Sequence, residues 1–218
     1  MCNDKAHVMS SFRKIALDRW PRRHTYEFFK SFDLPFWQVT VPVEVDPLRR
    51  WCARTGHGFF AASLWLCTRA ANEVPELRQR LRPDGVIEWA ELYAGSTVLH
   101  DDRSFTFCYF DYHADPDVFC RKAKARLDAH LSGKVFAPRE EEDDLIHFSV
   151  LPWLSFTGFQ HARRLGQTDS VPKIVMGKFE TEGERVRMPL SIEVHHALVD
   201  GYHVGQFFER LAALQAEL

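Results

Sequence analysis

The sequence has no apolar run long enough to cross a bilayer. Its longest, Gly58 to Cys67, falls far short of the roughly 20 residues a span requires, and the opening Met1-Cys2-Asn3-Asp4-Lys5 has no signal-peptide core. A soluble, cytoplasmic protein with no membrane partner is expected. Nor is there an excess of either charge: 28 Lys and Arg face 30 Asp and Glu, so no net field favours nucleic acid. The five cysteines (Cys2, Cys52, Cys67, Cys108, Cys120) are odd in number and far apart, with no C-x-x-C. That excludes a disulfide framework and a structural zinc site, and leaves Cys52 and Cys67 as small core residues. Internal repeats, low-complexity tracts and Gly/Ser linkers are also missing. The 218 residues therefore read as one domain, 1–218, large enough for a real core.

What is present is an alternation of strand and helix patterns. Trp37 to Val45 alternates as a strand, and Asp46-Pro47 then supplies an N-cap followed by proline at the first helical position, with Gly56 as the stop. Phe59 to Asn72 is apolar on most sides and suits a buried helix. Arg82-Pro83-Asp84-Gly85 makes a turn before strands at Val86 to Trp89 and Ser104 to Tyr112. Asp115-Pro116-Asp117 opens an amphipathic helix bearing Phe119, Ala123 and Leu127, and polar Lys134 to Asp144 is a surface loop. Leu145 to Leu151 is a strand. Val171 to Phe179 and Val186 to His196 are extended around a turn at Glu182-Gly183-Glu184, an antiparallel hairpin. The chain closes on a helix from Tyr202 to Leu218 that packs through Val204, Phe207, Phe208, Leu211, Leu214 and Leu218. The fold class is α/β, two layers, with a mixed sheet packed by helices.

The period-2 pattern of the last strand places Val186, Met188, Leu190, Ile192, Val194 and His196 on one face, and Ser191, Glu193 and His195 on the other. An imidazole at the end of an apolar row is held neutral, the form a general base requires. A lone strand histidine is ordinarily a core residue satisfied by backbone, and a lone Asp before a helix is ordinarily its cap. The informative object is the whole segment His195-His196-Ala197-Leu198-Val199-Asp200-Gly201. A serine hydrolase would need a G-x-S-x-G elbow, which is missing, and Ser149 sits inside a strand pattern. A metal site from His195, His196, Asp200 and His203 is disfavoured because adjacent strand histidines point apart and no H-E-x-x-H occurs.

That segment resembles the HHxxxDG signature of the chloramphenicol acetyltransferase family. So do Trp20-Pro21-Arg22-Arg23 with the aromatic cluster Tyr26, Phe28 and Phe29, Pro75-Glu76-Leu77-Arg78, Ser96-Thr97-Val98-Leu99-His100, and Ser149-Val150-Leu151-Pro152-Trp153-Leu154-Ser155-Phe156-Thr157. The resemblance implies a homotrimer that transfers acetyl directly from acetyl-CoA to the hydroxyl of a small-molecule acceptor, with no metal. Chloramphenicol is the leading acceptor, and antibiotic resistance the role that goes with it. It makes His196 the base, Ser149 the donor to the oxyanion, and Asp200 the partner of Arg22 in holding the histidine loop. Coenzyme contacts fall on Ser149, Phe60, Phe179 and Lys178, and the acceptor pocket on Phe29, Trp37, His161 and Arg163. Trp20 and Trp153 are left as core.

The sequence departs from the family at several of these places. Val175 stands where a threonine often assists the oxyanion, Phe60 and Phe179 replace two tyrosines, and Gly58 replaces a lysine associated with the coenzyme phosphate. His161 and Arg163 fall where the family presents apolar residues. An unpaired buried arginine is costly, so that wall is either solvated or built for a different, more polar acceptor. The competing reading is a catalytically silent trimeric binding or regulatory protein of the same fold.

Overall fold

A computed structural model describes residues 10–164 and 169–218; the expectations for Cys2 and the first residues lie outside them. The chain runs β1 (Phe12–Lys14), α1 (Arg23–Phe29), β2 (Phe36–Glu44), α2 (Asp46–Thr55), α3 (Phe59–Asn72), a 3-10 turn (Pro75–Arg78), β3 (Gln79–Arg82), β4 (Gly85–Trp89), β5 (Tyr93–Leu99), β6 (Phe105–Phe110), α4 (Pro116–Gly133), β7 (Leu145–Val150), β8 (Lys173–Met176), β9 (Glu180–Glu182), β10 (Arg185–His195) and α5 (Gly201–Ala216). The larger sheet is ordered β2-β10-β8-β7-β5-β6, with β9 against the start of β10; a smaller one is ordered β1-β4-β3. β7 runs parallel to both its neighbours and the other pairs are antiparallel, so the sheet is mixed.

Helix α3 begins and ends where its composition places it. It is buried almost throughout, from Ala61 to Ala71, and touches α2, α4 and α5. Its core joins Leu190, Ile192 and Val194 of β10 and Val204, Phe207 and Leu211 of α5. Each side chain so buried contributes about 1.5 to 3 kcal/mol. The helices therefore cover the apolar face of β10, and the face bearing Ser191, Glu193 and His195 looks the other way. Among the described residues no helix is long and apolar enough to cross a membrane.

Three local expectations change. Asp46 does not cap α2. Val45 holds that place, and the Asp46 carboxylate accepts from the Val186 N–H at 2.7 Å, tying the helix start to β10. The segment from Lys134 to Asp144 is a surface loop as far as Glu141 but not at its end: Asp144 is fully buried, and Arg80, also fully buried, donates to the Asp143 and Leu145 carbonyls. Trp153 is not core, being 61% exposed beside Leu154. Cys52 and Cys67 are buried as expected, and burial pushes the Cys67 thiol up to about 12.

Candidate active site

The turn after β10 is held from three directions. Its backbone folds back at once: the N–H groups of Leu198 and Val199 both donate to the His195 carbonyl, each at 3.0 Å. The His196 N–H donates to Pro35 at 2.8 Å, one bond past the β10–β2 ladder. Asp200 then caps α5, accepting from the Tyr202 N–H at 3.2 Å, while its own N–H donates to Nδ1 of His203. That reciprocal bond makes His203 the capping-box partner, a position usually held by Glu or Gln. Burial lowers the His203 pKa, outweighing the Glu76 and Asp200 carboxylates that favour the charged ring, and so favours a neutral ring able to accept.

The third direction is Arg22, at the N-cap position of α1. Its Nη1 donates to Asp200 Oδ2 and its Nη2 to the His196 carbonyl at 3.5 Å. The Arg22 side chain is 11% exposed and that of Asp200 33%. Burial alone would raise the Asp200 pKa, but the Arg22 hydrogen bond and charge outweigh it and lower it. Asp200 is thus both cap and ion-pair partner.

The two histidines diverge as the strand pattern requires. His195 is buried, its Nδ1 accepts from the Ala197 N–H at 3.2 Å, and burial, with repulsion from Arg163, lowers its pKa to about 4. It is structural. The His196 ring is stacked on Phe29, centroids 4.0 Å apart and planes 13° apart, and Trp37 lies 5.8 Å away. Trp37 is itself fixed by Nε1 donating to the Val199 carbonyl at 3.1 Å. Phe29 and Trp37 thus pack on the histidine itself. Nδ1 of His196 is buried without a partner among the described residues, so Nε2 is the nitrogen left to meet another molecule.

Ser149 is elsewhere. It lies in register with Val175 of β8, which is in register with Ser191 of β10. With strands about 4.8 Å apart and about 3.3 Å per residue, Ser149 is roughly 16 Å from His195, on the face opposite His196. One chain does not bring Ser149 and His196 together. Val175 is fully buried between Ser149 and Ser191.

The remaining residues form two groups. Phe179 is edge-on to Phe59 at 4.7 Å, with the Arg49 guanidinium 5.7 Å from its ring, while Phe60 packs on Phe110 at 6.0 Å. Lys178 is exposed, its N–H donating to Leu154 at 2.8 Å. His161 and Arg163 are not unpaired: both bond Glu193, and Arg163 also bonds Asp169. Sequence reasoning missed Glu193 as a site residue. Its signal was a carboxylate between Ile192 and Val194, in the buried interior of the strand. Among the described residues no cluster of His, Cys, Asp and Glu is placed to hold a metal ion.

Comparison with known proteins matches this architecture. A solved chloramphenicol acetyltransferase superposes with a TM-score of 0.87 at 29% identity, covering 94% of this chain and all of the other. The dihydrolipoamide acetyltransferase of Azotobacter vinelandii shares the fold at a TM-score of 0.62 and 15% identity, covering 98% of this chain and 91% of its own. Chloramphenicol acetyltransferase 2 of Escherichia coli is 30% identical over 204 residues, 92% of this chain and 95% of the relative. Fold and relatives together define an acyltransferase. The model of the chloramphenicol acetyltransferase family matches residues 10–212, and the chain belongs to that family.

Proposed function

We propose that this protein transfers an acetyl group from acetyl-CoA to a hydroxyl of a small acceptor, chloramphenicol being the candidate its relatives name. The observation that carries the reading is the fixed His196: stacked on Phe29, its carbonyl and its loop gripped by Arg22, with Nε2 as the nitrogen left for an acceptor. Nε2 takes the acceptor proton as the oxygen attacks the thioester carbonyl. The tetrahedral oxyanion accepts a hydrogen bond from the Ser149 hydroxyl. Collapse expels the coenzyme thiolate, which recovers the proton from His196. General-base catalysis of this kind contributes about 10² to 10⁴ in rate, and one oxyanion donor about 3 kcal/mol.

The separation of Ser149 from His196 within one chain supports a homotrimer whose sites lie between subunits, His196 supplied by one and Ser149 by the next. Exposed Phe105 and Phe136 and the half-buried Phe107 packed with them offer apolar surface for such contacts. Coenzyme contacts are assigned to Phe60, Phe179 and Lys178. Release of coenzyme thiol from acetyl-CoA, measured with chloramphenicol and a panel of alcohols, tests the reading. Turnover at least about 100-fold above a His196→Ala control is expected; no acceptor exceeding that control would refute it.

A further inference from the structure

Glu193 is out of place by composition. Its side chain is 2% exposed on β10, where a carboxylate is tolerated only when fully paired. Three donors pair it. The His161 N–H and Nδ1 reach Oε2 at 3.2 and 2.8 Å, and Arg163 Nε reaches Oε1 at 2.6 Å. Burial alone would raise the Glu193 pKa, but these bonds outweigh it and hold the group at about 2, a permanent anion at neutral pH.

A permanent anion dictates the tautomer of the ring facing it. Nδ1 of His161 carries the proton it shares with Glu193, which leaves Nε2 for another partner. That Nε2 is buried with no partner among the described residues, and so is Nη2 of Arg163, a donor that is always protonated. The rest of Arg163 is committed: Nε to Glu193, Nη1 to Asp169 at 2.6 Å, and its face to Phe36, 3.1 Å from the ring centroid. Two side chains held by one carboxylate therefore leave two buried nitrogens to be satisfied. A hydroxyl, which both donates and accepts, suits them, accepting from Nη2. An aryl or alkyl group satisfies neither and leaves both desolvated.

The place fits a small acceptor. Glu193 is in register with Lys173, and Lys173 with His147, a row on the same face as Ser191, Val175 and Ser149. The two rows are two residues apart along the strands, about 7 Å between their backbones. We infer that His161 and Arg163, oriented by Glu193, bind a second, unreacted hydroxyl of the acceptor, so that the substrates are diols or polyols and not simple alcohols. The inference rests on the acetyl-transfer reading, which supplies the first hydroxyl.

Matched acceptors test it: chloramphenicol, which has two hydroxyls, and a polyol series, each against an analogue with the second hydroxyl replaced by hydrogen. Rates are read as kcat and KM from thiol release. Loss of the second hydroxyl should lower kcat/KM at least about 100-fold in the wild type, since a site built to bond a hydroxyl rejects the analogue without it. In His161→Phe the two members of a pair should come within about threefold. If that variant does not fold, Arg163→Lys, which keeps a cation against Glu193 and removes Nη2, carries the same expectation. Matched pairs that turn over equally well in the wild type, or discrimination that survives in the folded variant, would overturn the inference and leave acetyl transfer standing. If no acceptor exceeds the His196→Ala control, acetyl transfer itself fails and takes the inference with it.

Discussion

Ser149 and His196 belong to opposite faces of one sheet, with Val175 and Ser191 forming the row that leads from the first toward the strand of the second. Their separation gives the trimer reading a direct test. Ser149→Ala and His196→Ala should each abolish most turnover alone. When the two are unfolded together and reassembled, about one interface in four pairs an intact serine with an intact histidine, and activity should return to about a quarter of wild type. Co-refolded subunits that stay as inactive as either parent would place both residues in one subunit's site.

Arg22 and Asp200 should be energetically coupled. Removing either leaves a partly buried charge unmatched, at a cost of about 2 kcal/mol, below the 3 to 5 of a fully buried pair because Asp200 keeps part of its surface in water. A double-mutant cycle of Arg22→Ala and Asp200→Ala, followed by urea unfolding, should give a coupling of at least about 1 kcal/mol. Additive losses would mean that the pair does not hold the loop.

Gly177 admits no side chain. A Cβ there would sit 2.6 Å from Pro189 Cγ and 2.9 Å from the Leu154 carbonyl oxygen, the latter a backbone atom that cannot swing away. Gly177→Ala should cost about 1 to 3 kcal/mol by urea unfolding and disturb the neighbouring Lys178. An unchanged midpoint would show that β8 and the Leu154 segment shift freely.

His195 sets a pH window for stability. Its pKa in the fold is about 4, lowered by burial and then by Arg163, against about 6.5 when unfolded. Between those values the unfolded chain binds the extra proton, so this contribution is complete above about pH 6.5 and is lost as pH falls toward 4. Melting temperatures followed from neutral to acid pH should fall across that window, and fall less in His195→Asn. Parallel profiles for the two proteins would remove His195 from the account.

Much of this was legible before any coordinates. Phe59 to Asn72 was readable as a helix because nearly every position is apolar, and the divergence of His195 and His196 follows from strand geometry alone. Other parts were not. β3 reads Gln-Arg-Leu-Arg, with no strand signal, since Arg80 is buried by donating to backbone carbonyls and not by being apolar. β5 has no alternation, because it is buried on both faces. Arg163 looked unpaired, since its partners Glu193 and Asp169 are recruited through tertiary contacts that no local pattern announces. Trp153 looked like core because its size says nothing about which side of a turn it takes.

The clamp joins residues 178 positions apart in the chain. While the protein is being made, Arg22 emerges 178 residues ahead of the carboxylate it grips, so this hold on the histidine turn forms only after Asp200 has been translated. A product cut short before Asp200 has neither the turn nor its latch.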